Sequence, residues 1–114
     1  MVRPAPRLTG PLLPATTEEI RAVRESRRYR KARAEYRAHC DEQQLPCWLD
    51  GKPIDYSLPS DHPDAWSLDH AHPMSERLDL ALDPANFRPS HLDCNKRRGN
   101  KAPFIQLGAP SEDW

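Results

Sequence analysis

An ordered set of polar residues in the second half of the chain is the feature that constrains it most. The set begins with the run from Leu68 to Pro73, which reads LDHAHP, and continues with Asn86. It ends with the run from His91 to Lys96, which reads HLDCNK. These residues supply carboxylate, imidazole and amide groups, which together can hold one divalent metal ion and activate one water molecule. The sequence therefore predicts a metal site that activates water within this stretch.

The composition allows one small domain with a small core. The chain has 114 residues, of which 37% are hydrophobic and 30% are charged, and 13 residues are prolines. A chain with so little apolar material often needs a bound metal or a partner to be stable. The prolines indicate long irregular segments between the regular elements.

The charges are separated along the chain although the formal net charge is zero. One basic block runs from Arg21 to Arg37, a second runs from Lys96 to Lys101, and the stretch between Asp41 and Asp83 is acidic. This pattern suits a protein that binds phosphates and holds a cation between two basic surfaces. For the first block, a merely solvated helix surface is the alternative. The residues predicted to contact nucleic acid are Arg27, Arg28, Lys96, Arg97, Arg98 and Lys101.

The sequence gives no sign of a membrane segment or of a disulfide framework. No apolar run is long enough to cross a membrane, and residues 1–15 lack the apolar stretch of a signal peptide. The three cysteines, Cys40, Cys47 and Cys94, fit better as metal ligands or free thiols in a reducing compartment. We therefore expect a cytoplasmic protein with no membrane partner.

The first part of the chain is predicted to be a loose segment followed by a helix. Residues 1–15 are rich in proline and have no hydrophobic periodicity, so we expect them to be flexible. Thr16 and Glu19 have the spacing of a capping box, in which each side chain bonds to the backbone N–H of the other residue. One long basic helix is therefore expected over residues 16–39.

The rest of the chain is predicted to form a small α+β unit and a peripheral tail. Residues 40–65 read as turns, including a tight turn closed by Gly51. Two short strands joined by a polar loop should follow, and then a short helix that ends at Gly99. The expected ranges are 66–71 and 86–90 for the strands, 74–85 for the loop, 92–98 for the helix, 40–101 for the whole unit and 102–114 for the tail.

The ordered polar residues resemble the motif of HNH endonucleases, which have the ββα-metal fold. The resemblance covers about residues 45–101 and rests on the segments LDHAHP, NF and HLDCNKRRG. It implies that His70 is the general base and that Asp69 and Asn95 bind a catalytic metal. It also implies that Asn86 orients the loop that carries the base. Two oxygen ligands favour Mg²⁺ or Mn²⁺, with Ni²⁺ as a further candidate. The alternative is that Asp69 only caps a turn and His70 is structural.

The same resemblance implies a second metal site, because many HNH proteins carry a structural zinc between two Cys-x-x-Cys pairs. The matching residues here are Cys47, Asp50, His91 and Cys94. Histidine is an ordinary zinc ligand, whereas aspartate is less common in structural sites. Cys40 is an alternative to Asp50 as the fourth ligand. The alternative to a zinc site is that the cysteines are plain buried thiols.

The resemblance implies a metal-dependent endonuclease that hydrolyses DNA. Little sequence preference is expected, because we see no residue suited to read base edges. The segments DPANFRPSH and CNKRRGNK look like those of small phage HNH proteins, which work beside the terminase in DNA packaging. The alternative function is a non-catalytic nucleic-acid-binding accessory protein of such a terminase complex. A phage-encoded protein of either kind would act in the cytoplasm of the bacterial host.

Overall fold

The structure, a computed structural model, describes residues 14–99, and two helices form its N-terminal part. Helix α1 spans Thr17–Glu25 and helix α2 spans Arg27–Gln43. The predicted capping box is present at the start of α1. Thr16 N–H donates to Glu19 Oε1 at 2.8 Å, and Glu19 N–H donates to Thr16 Oγ1 at 3.1 Å.

A break at Ser26 separates these two helices, so the prediction of one helix over residues 16–39 is wrong. Ser26 has an extended backbone, with φ −73° and ψ 149°. Its hydroxyl accepts Tyr29 N–H at 3.1 Å and donates to Val23 O at 2.6 Å. One side chain therefore ends α1 and caps α2, a use of serine that competes with helix continuation. Helix α2 also runs past the expected end, to Gln43.

Strands β1 (Trp66–His70) and β2 (Phe87–His91) pair antiparallel in the two-stranded sheet of the described chain. The register places Leu68 opposite Pro89. Pro89 fits within the strand because each strand of a two-stranded ribbon has an edge that needs no partner. The first strand ends before Ala71, slightly earlier than predicted.

The loop between the strands contains two short 3₁₀ turns, Leu78–Leu80 and Pro84–Asn86. The Asp83 carboxylate accepts Ala85 N–H at 2.9 Å and starts the second turn. Asn86 therefore ends a turn. The sequence had predicted that Asn86 begins the second strand, and that prediction is wrong.

Helix α3 (Leu92–Arg98) follows β2 directly and packs against both strands. It ends at Gly99, as predicted, and the φ of 56° at Gly99 lies in the left-handed region that favours glycine. Leu92 N–H donates to Ala65 O at 2.8 Å and attaches the start of α3 to the residue before β1. The elements β1, β2 and α3 form a ββα unit, so the prediction of a small α+β fold is confirmed.

A hydrophobic cluster joins the N-terminal helices to the ββα unit. Tyr36 OH donates to Phe87 O at 3.2 Å, which ties α2 to β2. Arg37 Nη2 donates to Tyr56 O at 2.7 Å, which ties α2 to the segment before β1. The buried residues of the cluster are Tyr29, Cys40, Cys47, Leu49, Ile54, Trp66, Leu68, Met74, Ala81, Phe87 and Cys94.

No helix between residues 14 and 99 combines the length and the hydrophobicity that crossing a bilayer demands. Most of the segment 1–15 and all of the tail 102–114, for which we predicted a flexible and a peripheral character, lie outside the described residues.

Candidate active site and metal centre

Asp69 lies near the end of β1 and is held by three hydrogen-bond donors. Its Oδ2 accepts Trp48 Nε1–H at 2.8 Å and an Arg98 Nη1–H at 2.9 Å. Its Oδ1 accepts His70 N–H at 2.8 Å. Asp69 is only 6% exposed, and burying a carboxylate costs free energy unless it is paired, as it is here with Arg98. A carboxylate oxygen offers about two acceptor positions, so Oδ1 keeps one for a further ligand.

His70 is the last residue of β1 and is buried. A backbone carbonyl oxygen accepts a hydrogen bond from one of its ring nitrogens. Its Nε2 lies 3.1 Å from Ala81 O. A carbonyl oxygen can only accept, so Nε2 carries the proton and Nδ1 of the neutral ring has an unshared lone pair. Burial lowers the pKa of His70 and outweighs the Ala81 hydrogen bond and the Asp69 charge, which raise it. The neutral ring is therefore the form present near pH 7.

Two aromatic rings also contact the His70 ring. Tyr29 from α2 stacks on it with a centroid distance of 6.3 Å and an interplanar angle of 16°. Phe87 from β2 meets it edge-on at 5.5 Å. The N-terminal helices therefore contribute to the orientation of the predicted base.

Asn86 holds the loop that follows β1. Its Oδ1 accepts His72 N–H at 2.8 Å, and its Nδ2 donates to His72 O at 3.1 Å and to Leu80 O at 3.4 Å. In addition, Ala71 N–H donates to Asn86 O at 2.9 Å. Asn86 is buried and acts on the backbone of this loop.

Asn95, on α3, lines the same cavity as Asp69 and His70. Its Nδ2 donates to Ser67 Oγ at 2.9 Å and to Leu68 O at 3.0 Å. Because Leu68 O can only accept, these contacts assign the amide orientation and leave Oδ1 as the atom for a ligand. Asn95, Asp69 and His70 line one cavity of about 90 Å³. The structure thus brings together the predicted base and the two predicted ligands of a catalytic metal.

Arg98 does not lie on the surface where the sequence placed it. It is 1% exposed, and its guanidinium donates to Asp69 Oδ2 at 2.9 Å, His70 O at 2.7 Å and Ala71 O at 3.0 Å. A group enclosed in this way cannot reach a phosphate, so the prediction that Arg98 contacts nucleic acid is wrong. Its charge instead pairs with Asp69, and its planar fork ties α3 to the end of β1.

The other residues predicted to contact nucleic acid have different surroundings. Arg27, Arg28 and Lys96 are exposed, and Lys101 lies outside the described residues. Arg97 is exposed and forms an ion pair at 3.1 Å with a carboxylate one turn earlier in α3. Lys96 lines a cavity next to the one that contains His70, whereas Arg27 and Arg28 line neither cavity.

A second group of potential metal ligands consists of Cys47, Asp50, His91 and Cys94, whose ligand atoms lie within 4.8 Å of one another. Asp50 Oδ2 is 3.3 Å from His91 Nδ1 and 3.5 Å from Cys94 Sγ. Cys94 Sγ is 3.8 Å from His91 Nδ1. Tetrahedral zinc with ordinary bond lengths places its ligand atoms roughly 3.3–3.8 Å apart. Asp50, His91 and Cys94 therefore have the spacing that a zinc ion requires, and the ligand atom of Cys47 lies within 4.8 Å of theirs.

Backbone groups orient two of these ligands. His91 Nε2 donates to Pro53 O at 3.0 Å, which leaves Nδ1 without a proton and able to bind a metal. Lys52 N–H donates to Asp50 Oδ1 at 2.9 Å, so that Oδ2 is the oxygen close to the other ligands. The side chains are thus oriented by groups that do not themselves bind the metal.

The turn between Cys47 and Asp50 is closed by Gly51, as predicted. Gly51 has a φ of 73°, and its N–H donates to Cys47 O at 2.9 Å. Cys40 lies in α2, is completely buried and is not part of the ligand group. Asp50, and not the alternative Cys40, is therefore the fourth member of this group.

The electrostatics of the group favour a bound cation. Burial raises the pKa of the Cys94 thiol to about 12, together with the nearby Cys47 and Asp50 groups. Without a cation, this raised pKa keeps the Cys94 thiol protonated at neutral pH. A metal ion displaces the thiol proton and stabilises the thiolate beside the Asp50 carboxylate.

A comparison with protein families identifies the unit that carries both groups of residues. Residues 47–101 match the family model of HNH endonucleases. These residues therefore have the sequence pattern of an HNH endonuclease domain, which we call the HNH domain. Members of this family are typically nucleases that bind divalent metals and act on DNA. Neither the curated proteins nor the solved structures give a significant match to the chain.

The sequence did not show that several residues support the HNH domain. Trp48 and Arg98 hold Asp69, and Ala81 O holds His70. Trp48 directly follows Cys47, and a large indole next to a predicted metal ligand was a signal that could have been used. The Ala81 contact is made by a backbone carbonyl, so no pattern of side chains predicts it.

Proposed function

We propose that this protein is a metal-dependent endonuclease that hydrolyses DNA phosphodiester bonds with His70 as its general base. The observation that carries the proposal is the contact of 3.1 Å between His70 Nε2 and Ala81 O. It leaves an unprotonated Nδ1 on a buried neutral ring, and this ring shares a cavity with Asp69 and Asn95. Such a base can accept the proton of an attacking water molecule near neutral pH.

Asp69 and Asn95 would hold the catalytic cation, since a carboxylate and an amide oxygen are donors that hard cations prefer. The proposed ion is Mg²⁺ or Mn²⁺, with Ni²⁺ as a further candidate. When bound, such a cation stabilises negative charge on the phosphate and on the departing oxygen. Trp48 and Arg98 keep the Asp69 carboxylate from rotating, because both donate to its Oδ2.

The second proposed metal is a structural zinc. Its ligands would be Cys47 and Asp50 from the turn before β1, with His91 and Cys94 from the junction of β2 and α3. A zinc there would cross-link that turn to the ββα unit and contribute to the stability of a small core. Protein ligands would fill all four positions, as in structural and not in catalytic zinc sites.

The proposed DNA contacts are contacts to phosphates. Phosphate contacts set the position of a protein on DNA but do not read its sequence, so we propose cleavage with little sequence preference. With Arg98 removed from the set, the proposed contacts are Arg27, Arg28, Lys96, Arg97 and Lys101.

One observation favours a second candidate, a non-catalytic nucleic-acid-binding protein that serves a phage packaging complex with a terminase. Both oxygens of Asp69 already accept hydrogen bonds, and Arg98 balances its charge. A plasmid-nicking assay with and without EDTA separates the two functions. Nicking that stops on chelation supports the nuclease, whereas DNA binding without nicking in any divalent metal supports the accessory protein.

A further inference from the structure

A positively charged cleft lies between the N-terminal helices and the ββα unit. The cavity of about 90 Å³ at the candidate active site adjoins a larger cavity of about 620 Å³. Helices α1 and α2 form one wall, and β1 and α3 form the other. We call the two cavities together the helix–ββα cleft. The residues that line both cavities are Arg24, Tyr29, Leu68, Asn95 and Gly99.

The charges that line this cleft are almost all positive. Arg24 comes from α1, Arg30 and Arg33 come from α2, and Lys96 comes from α3. The larger cavity has no carboxylate in its described lining, and the smaller one has only Asp69, whose charge is already paired. A different cavity, of about 580 Å³ beside the proposed zinc ligands, is lined by several aspartates. That cavity also contains Lys52 and Arg97, so its charges are mixed. A polyanion is therefore attracted more strongly to the cleft than to the zinc side of the molecule.

We propose that the helix–ββα cleft binds the backbone of one DNA strand, with Arg24 on the phosphate nearest to His70. The proposal rests on DNA as the proposed substrate but not on cleavage. Arg24 is the one lysine or arginine in the described chain that lines both cavities. Among residues 14–99, no carboxylate forms an ion pair with Arg24. Its charge is therefore available to an anion.

The other two cations of the helical wall are held in place without losing their charge. Arg30 Nη2 donates to Glu25 O at 2.9 Å, across the break between the helices. The Arg33 guanidinium lies 5.0 Å from the centroid of the Trp66 ring, a cation–π contact that leaves its edge open to a phosphate. Lys96 faces the same cavity from α3. A phosphate backbone in the cleft would thus have cations on both sides.

This wall lies outside the HNH domain, because α1 and α2 end before residue 47. The part of the chain that precedes the domain therefore completes its substrate site. Arg27 and Arg28, which line neither cavity, would make weaker contacts at the periphery of the same DNA.

Two matched double variants test the cleft. Arg24→Gln with Arg30→Gln removes one cation from each helix inside the cleft. Arg21→Gln with Lys31→Gln removes one exposed cation from each helix outside it, and Lys31 has only an ion pair at 3.7 Å between highly exposed groups. The measurement is the affinity for a DNA duplex over a range of salt concentrations, with no divalent metal added.

Each phosphate contact that is lost makes the slope of log affinity against log salt shallower by about 0.9. We expect this slope to become shallower by about 1.8 for the cleft variant and by less than about 0.9 for the outer variant. Thermal melts verify that both variants are folded. Equal changes in the two variants would overturn the proposal, because the helices would then bind DNA only through their overall charge.

Nicking by the single variant Arg24→Gln gives a second readout. At saturating DNA, we expect the rate to fall by about 100-fold, as for loss of one transition-state donor, and an unchanged rate would refute the Arg24 contact. If the unaltered protein does not nick at all, the proposed nuclease function fails. The salt-slope comparison would still decide whether the cleft binds DNA.

Discussion

The His70 ring lies with its Nε2 3.1 Å from the carbonyl oxygen of Ala81, in the loop between the two strands. The proton of the neutral ring is therefore on Nε2, and Nδ1 is the basic atom. Ala81 itself is fixed by its own N–H, which donates to Leu78 O at 3.1 Å in a 3₁₀ turn. The identity of the basic nitrogen thus depends on the conformation of a loop that contributes no catalytic side chain.

Cleavage is expected to persist at mildly acidic pH. Burial holds the pKa of His70 below its usual value of 6.5, and a general base acts in its unprotonated form. The active form is therefore present above this lowered pKa and is lost as the pH falls through it. We expect a single-turnover rate that changes little between about pH 8 and about pH 6.5 and then decreases. An acidic limb with its midpoint above pH 7 would contradict the buried, neutral base.

Asn86→Ala is expected to destabilise the loop after β1. The substitution removes the two part-buried hydrogen bonds to the backbone N–H and O of His72, and a hydrogen bond contributes about 0.5–1.5 kcal/mol. Asp83→Ala is the matched control, because it removes one exposed hydrogen bond at the start of the same 3₁₀ turn. Urea unfolding should show a clearly larger loss for Asn86→Ala. Equal losses would mean that the Asn86 contacts do not hold the loop.

Arg98→Gln and Arg97→Gln are expected to affect different properties although the residues are neighbours: the first lowers stability and the second weakens DNA binding. Removing one partner of a buried ion pair costs about 3–5 kcal/mol, so Arg98→Gln should lower the free energy of unfolding by about that amount. The Arg97 side chain is 59% exposed, so Arg97→Gln should change stability little and weaken DNA binding. Denaturant unfolding and fluorescence anisotropy measure the two effects. A stable Arg98→Gln protein with weakened DNA binding would argue against the buried role.

Protein purified without added metal is expected to contain about one zinc per chain. Cys94→Ala should lose this zinc and lower the melting temperature, because a structural zinc contributes folding free energy. Cys40→Ala removes a buried thiol outside the ligand group and should keep the zinc. Metal analysis with thermal melts checks both variants. A zinc content far below one ion per chain in the unaltered protein would contradict the proposed structural site.

The elements that the sequence predicted well are those with local causes. The capping box of Thr16 and Glu19 is set by residues three positions apart, and the end of α3 is set by the backbone freedom of Gly99. The break at Ser26 could not be predicted with the same certainty. A serine can remain inside a helix or cap a new one, and the choice depends on how α2 packs against the sheet.

At the candidate site, too, the features with a sequence motif were predicted and those that depend on packing were not. The resemblance to the HNH motif was enough to select Asp69, His70 and Asn95, which the structure places around one cavity. The burial of Arg98 was missed because arginines are mostly exposed and its partner Asp69 is distant in sequence. The Tyr29 contact with His70 was missed for a related reason, since it depends on the packing of α2 against the sheet and not on any motif.

Plasmid nicking by the unaltered protein and by His70→Ala, measured side by side in Mg²⁺, Mn²⁺, Ni²⁺ and Zn²⁺, tests the general-base assignment most directly. We expect the unaltered protein to nick in at least one of these metals and not in EDTA. His70→Ala should nick about 100-fold more slowly or not at all, with a native circular dichroism spectrum and a similar DNA affinity. Equal nicking by the two proteins would contradict the assignment of His70 as the base.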